Sequence, residues 1–203
     1  SRDWSSDVCS SDLSATKYLG GHNDLLAGVV VGSREKLEPV RTLRGIMGGI
    51  NSPHNCYLLE RGLKTLALRM ERHVQNAQAV AEHLAKHPGV NSVQYAGLPS
   101  SPYYALAQKY TGGKPSALLT FTIKGGFDAG VKFYDALQVF KRLVNIGDAK
   151  SLAAHPASTT HRQLTEAELA TAGVTPDMIR LCVGIENIED ILADLDQALA
   201  AAV

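Results

Sequence analysis

Ser14-Ala15-Thr16-Lys17-Tyr18-Leu19-Gly20-Gly21-His22 decides how this 203-residue chain is read. A lysine amine is a nucleophile only after losing its proton, so a chemically active lysine needs a tight, partly desolvated seat among polar groups. The neighbours of Lys17 can build one. Ser14 and Thr16 can point the same way from an extended segment and donate to phosphate oxygens, while Gly20 and Gly21 let the backbone approach a planar ring. A phosphorylated aldehyde suits that geometry, with the amine condensing and the hydroxyls holding the phosphate. Local chemistry alone favours a solvated loop, because most lysines are surface charges and Ser, Thr and Gly are common loop residues.

Three further motifs follow in order. They are Arg61-Gly62-Leu63-Lys64-Thr65-Leu66 with Arg69-Met70-Glu71-Arg72-His73, then Gly97-Leu98-Pro99-Ser100, then Ile179-Arg180-Leu181-Cys182-Val183-Gly184-Ile185-Glu186. Together with Ser-x-Thr-Lys-Tyr-x-x-Gly-His they make the chain from Ser14 onward resemble the Cys/Met-metabolism family of pyridoxal-phosphate enzymes. The resemblance implies an α/β fold, the C-terminal part of a fold type I transferase. It would comprise a remnant of the large cofactor-binding domain and interdomain helix over residues 14–78 and a complete small domain with a mainly antiparallel sheet over 79–203. It also implies that Lys17 is the cofactor lysine, that Ser14 and Thr16 help bind pyridoxal 5'-phosphate, and that Arg180 anchors the substrate carboxylate. A guanidinium suits that task because two parallel hydrogen bonds fix position as well as charge.

Within the family, Asn145-Ile146-Gly147-Asp148-Ala149-Lys150-Ser151 and His155-Pro156-Ala157-Ser158-Thr159-Thr160-His161 resemble O-acetylhomoserine sulfhydrylases. Asn145 takes the place of the substrate-contacting serine of the γ-synthases and γ-lyases, and its amide can still donate to a carboxylate. Asn23-Asp24 and the stretch Gly48 to Pro53 look more like the synthase or lyase branch. The expected reaction is therefore γ-replacement on O-acetylhomoserine by sulfide, giving homocysteine. The alternatives are cystathionine γ-synthase, cystathionine γ-lyase and methionine γ-lyase chemistry. A cytoplasmic homotetramer of two dimers acting on a small amino acid is implied too.

Residues 1–13 read differently. Asp3-Trp4-Ser5-Ser6-Asp7-Val8-Cys9-Ser10-Ser11-Asp12-Leu13 resembles translated sequencing adapter, so this stretch is expected to be an artefactual or disordered prefix. By the same resemblance an upstream cofactor-binding half is expected to be missing, leaving this chain inactive alone.

Composition narrows the function classes. Twenty basic and twenty acidic residues cancel without forming a basic block, so nucleic acid is not an expected partner. No apolar run is long enough for a membrane-spanning helix. Cys9, Cys56 and Cys182 are odd in number and widely spaced, which argues against a disulfide framework and a zinc site. Cys56 and Cys182 are expected in the core, and no metal is expected.

Periodicity supplies the elements. Leu25–Gly32 reads as a buried strand, and Arg34 to Met47 as a helix ended by Gly48-Gly49. Leu59, Leu63, Leu66, Met70, Val74, Ala77, Ala81 and Leu84 form one stripe, some 26 residues or about 39 Å long, of a long helix that opens at Asn51-Ser52-Pro53 and is stopped at Pro88-Gly89. Val90–Tyr95, Ala117–Ile123, Phe140–Ile146 and Met178–Ile185 read as strands. Tyr103–Tyr110 and Asp128–Leu137 read as helices. A capping box at Thr165-x-x-Glu168 opens another helix, and Asn187 caps the last one, whose stripe is Ile188, Ile191, Leu192, Leu195 and Leu199.

Overall fold

The computed structural model describes residues 11–203, so Trp4 and Cys9 lie outside the described residues. Two compact units divide between Leu66 and Ala67, upstream of the expected boundary at residue 78.

The first unit begins with β1 (Ser11–Ser14), paired antiparallel with β2 (Gly28–Val31) in the register Ser14↔Gly28 to Ser11↔Val31. Leu25–Gly32 is therefore not a buried strand: only its second half is extended, and Val30 and Val31 are exposed. A two-stranded ribbon has no inside in which to bury them. The helix α1 (Arg34–Met47) runs as its sequence predicts, from the Ser33 cap to Gly48, which takes a left-handed φ of +70° that suits glycine. It buries no residue. The predicted long helix is two helices, α2 (Pro53–Leu63) and α3 (Leu66–Lys86). At the break, Lys64 N donates to Arg61 O and Thr65 N to Gly62 O, tight-turn bonds that replace the helical ladder.

In the second unit β3 (Val90–Gln94), α4 (Tyr104–Thr111), β4 (Leu118–Ile123) and α5 (Gly126–Ala136) follow the predicted alternation. Beyond them come β5 (Lys141–Arg142), β6 (Leu152–Ala154), α6 (Glu166–Thr171), β7 (Met178–Cys182) and α7 (Ile188–Ala202). The strand expected over Phe140–Ile146 shrinks to two residues. The buried β6 had no alternation to reveal it, since all three of its residues are buried. The capping box forms: Thr165 N and Oγ1 donate to Glu168 Oε2 at 2.8 and 2.9 Å, which holds the Glu168 carboxyl below its usual range.

The sheet order is β3-β4-β7-β6-β5, antiparallel throughout except for the β5–β6 pair. Alternation sends Leu119, Phe121 and Ile123 of β4 and Ile179 and Leu181 of β7 to one face, each at most 1% exposed. There they pack with Val80 and Leu84 of α3, Phe133 of α5, and Leu195 and Leu199 of α7. Phe121 and Phe133 meet edge to face, with centroids 5.4 Å apart. Each such side chain withdrawn from water contributes about 1.5–3 kcal/mol. The opposite face carries the half-buried Thr120, Thr122 and Arg180. No helix among the described residues is long and apolar enough to cross a membrane.

Candidate active site

Lys17 sits in a compact turn that its neighbours tie off. Ala15 N donates to Ala27 O at 2.9 Å, Gly20 N to Ala15 O at 2.9 Å and Gly21 N to Lys17 O at 2.8 Å. The Thr16 hydroxyl accepts from Ala27 N at 3.1 Å and donates to Ala27 O at 3.4 Å. Gly21 adopts a left-handed φ of +73°, which closes the turn without steric cost. Behind it stands Gly62 of α2: a Cβ there would collide with the Gly20 carbonyl and reach 3.0 Å from the Leu19 carbonyl. The two glycine-containing motifs thus meet for a steric reason. Lys17 itself is half-buried, and Ser14 is exposed at the end of β1.

In the second unit, Arg180 lies on β7 between Thr120 and Ala154, its partners on β4 and β6. Ile179 and Leu181 are fully buried, so strand alternation turns Arg180 to the face away from the core. Its guanidinium has no hydrogen bond or ion pair among the described residues. Cys182, two residues on, shares that face, and its Sγ accepts from Gly147 N at 3.3 Å. The loop bearing Asn145, which is 9% exposed, therefore lies over the same side of the sheet as Arg180. Cys182 is buried as expected, but Cys56 is exposed, because α2 turns that position outward.

One buried polar row escaped the sequence. Arg69, His73 and Asn76 of α3, spaced i, i+4 and i+7, are at most 4% exposed, while Met70 and Val74 of the predicted stripe are only half-buried. His73 Nδ1 lies 2.7 Å from Val183 O, so Nδ1 carries the proton. Asn76 Nδ2 donates to Gly184 O at 3.0 Å and Glu186 O at 2.9 Å. Counting apolar residues cannot find this row; its signals are a polar triplet at helical spacing and the Arg69–His73 motif, which names two of the residues without placing them.

The family of Cys/Met metabolism PLP-dependent enzymes matches residues 4–200. The chain belongs to that family. L-Methionine gamma-lyase from Pseudomonas putida is 49% identical over 191 residues, covering 93% of this chain and 48% of that protein. O-acetyl-L-homoserine sulfhydrylase from Leptospira meyeri is 43% identical over 227 residues, covering 92% and 51%. The crystal structure of a cystathionine gamma-lyase from Micromonospora echinospora superposes with a TM-score of 0.86 at 36% identity, over 94% of this chain and 50% of that one. The chain spans about half the length of the relatives it matches.

Pyridoxal phosphate, the cofactor of this Cys/Met metabolism family, finds a compatible donor set in the Lys17 turn. The amine is half-buried, and the exposed Ser14 hydroxyl makes no hydrogen bond among the described residues. Thr16 Oγ1 is already engaged, but its 3.4 Å bond to Ala27 O is long, and a phosphate oxygen would be the stronger, charge-assisted acceptor.

Proposed function

We propose that the protein uses pyridoxal phosphate to break the bond between Cγ of an amino acid and its sulfur or oxygen substituent, and that γ-elimination of L-methionine is its principal reaction. The reading is supported first by Arg180, a half-buried guanidinium with no partner among the described residues. It would grip the α-carboxylate through two parallel hydrogen bonds, with the Asn145 amide as a further donor. Gripping the carboxylate fixes the direction of the Cα–H bond. Lys17 would bind the cofactor and Ser14 and Thr16 its phosphate. When bound, the cofactor supplies an electron sink for the pair left at Cα. Lys17 Nζ, neutral once the substrate amine has displaced it, would take the Cα proton, hand it on to the bound cofactor, and so be free again to act as the base at Cβ, so that the γ-substituent leaves with its electron pair. With one water consumed, methionine would yield methanethiol, ammonia and 2-oxobutanoate.

The preference for elimination is supported by the 49% identity to a methionine γ-lyase. A second reading, replacement of acetate by sulfide on O-acetylhomoserine, is favoured by the Asn145–Ser151 and His155–His161 segments and by the 43% identity to a sulfhydrylase. Cystathionine γ-synthase and γ-lyase activities differ in using or releasing cysteine. A cytoplasmic homotetramer of two dimers completes the proposal, with light scattering as its test of assembly.

The full-length protein with pyridoxal phosphate is assayed on methionine alone and on O-acetylhomoserine with sulfide. Release of 2-oxobutanoate in the first assay is the expected result; homocysteine in the second with an idle first assay transfers the proposal to replacement. Borohydride treatment should add a reduced cofactor to Lys17 by mass, and Lys17→Ala should lose the adduct along with about 100-fold or more of the rate. An adduct that survives the substitution refutes the assignment of Lys17.

A further inference from the structure

The loop that carries Asn145 is fastened to the end of β7 by one carboxylate. Glu186 accepts from Ser151 N through Oε1 at 2.6 Å and from Ser151 Oγ through Oε2 at 2.9 Å. Ser151 is fully buried, and its Oγ accepts in turn from Gly184 N at 2.8 Å. Ile185 N donates to Ala149 O at 2.9 Å, and Gly147 N reaches Cys182 Sγ on the face that presents Arg180. The space is filled: a Cβ on Gly184 would collide with Glu186 Oε2 and come within 2.5 Å of Ala149 O and Ser151 N. From behind, Asn76 holds the carbonyls of Gly184 and Glu186, so the backbone bearing this carboxylate is itself fixed by α3.

A carboxylate at that place has a geometric consequence. Both of its oxygens are taken by Ser151, so its charge is spent on the loop rather than turned toward an incoming anion. The loop cannot rise or slide along β7 without breaking charge-assisted bonds at Ser151. Its height over the sheet sets how far the Asn145 amide stands from the Arg180 face.

We propose that Glu186 is a positioning residue for the substrate carboxylate: by gripping the amide and hydroxyl of Ser151 together, it sets the Asn145 loop against the Arg180 face of the sheet. The proposal rests on the reading of Arg180 and Asn145 as the carboxylate anchors. It adds a residue that touches no substrate atom and acts only through the loop.

The experiment compares Glu186→Gln, Arg180→Ala and their double variant in the full-length protein with pyridoxal phosphate, with Leu84→Ala, in the core on α3, as a destabilised control. Glu186→Gln keeps shape but offers one acceptor where two are needed. KM for the amino acid is expected to rise about tenfold, the net contribution of roughly one hydrogen bond, with kcat within about threefold. Calorimetric binding of a non-reacting amino-acid analogue should weaken by the same factor. The double variant should lose less than the product of the single losses, because both residues act on one carboxylate. If Glu186→Gln misfolds, Ser151→Ala, which deletes only the hydroxyl, is judged by the same criteria. The positioning role is overturned if Arg180→Ala raises KM while the loop variant leaves it unchanged, if the two losses multiply, or if the loss is no greater than in a control of equal melting temperature. An unchanged KM in Arg180→Ala itself strikes the anchor reading instead, and an inert wild type strikes the reaction.

Discussion

His73 shows how a single buried side chain couples this fold to pH. It is fully buried, and desolvation above all holds its imidazole below the usual histidine range. The Val183 carbonyl opposes that shift, Arg69 adds to it, and Glu186 and Asp148 oppose it. Its pKa is thus lower in the folded than in the unfolded state. The stability it contributes is complete above about 6.5, the unfolded value, and is lost as pH falls through the folded value, because the unfolded chain takes up the proton first. A fall in melting temperature between pH 7.5 and pH 5 is expected, and His73→Gln should flatten it. A variant with the same pH slope as the wild type would assign the acid sensitivity elsewhere. At this scale the sequence singles out Lys17, Arg180 and Asn145 as candidates through resemblance to the family's motifs and, for Arg180, through strand alternation. It could not show His73, whose chemistry depends on a carbonyl 110 residues away.

Among the elements, α7 is fastened by a residue that its hydrophobic stripe does not contain. Asp194, 4% exposed, accepts from Gln138 N at 2.8 Å, Val139 N at 2.9 Å and Phe140 N at 3.0 Å. These are backbone amides just beyond α5, where the chain leaves helix geometry and would otherwise strand its donors. Gln197, one turn on, donates to Asp194 Oδ1 at 3.0 Å and to Ala136 O at 2.8 Å. Asp194→Ala would leave buried amides unsatisfied and should cost about 3 kcal/mol, read from denaturant unfolding. A loss below about 1 kcal/mol would mean water replaces the carboxylate. The apolar period placed α7 and its cap correctly and located the buried Ile191, Leu195 and Leu199. In α3 it located Ala77, Ala81 and Leu84 but not Arg69, His73 and Asn76, for the same reason that it passed over Asp194: periodicity counts apolar residues, and here buried backbone groups require polar ones.

Across the whole molecule the two units differ in how much they bury. The hydrophobic core cluster lies entirely in the second unit, while α1 of the first buries nothing and Leu26, Ile46, Met47 and Ile50 are each at least 70% exposed. Amide exchange of this chain, followed by mass spectrometry, should find β4 and β7 the most protected segments and α1 among the least. Equal protection of α1 and β4 would contradict that ranking. The order of the motifs, the helices α1, α4, α5 and α7 and the strands β3, β4 and β7 follow from the sequence alone, because each is written in neighbouring residues and short periods. The split at Leu66, the central place of β6 and the clamp of Glu186 on Ser151 were decided only in three dimensions. They depend on which distant backbone amides and carbonyls a packed core leaves in need of partners, and no local pattern records that.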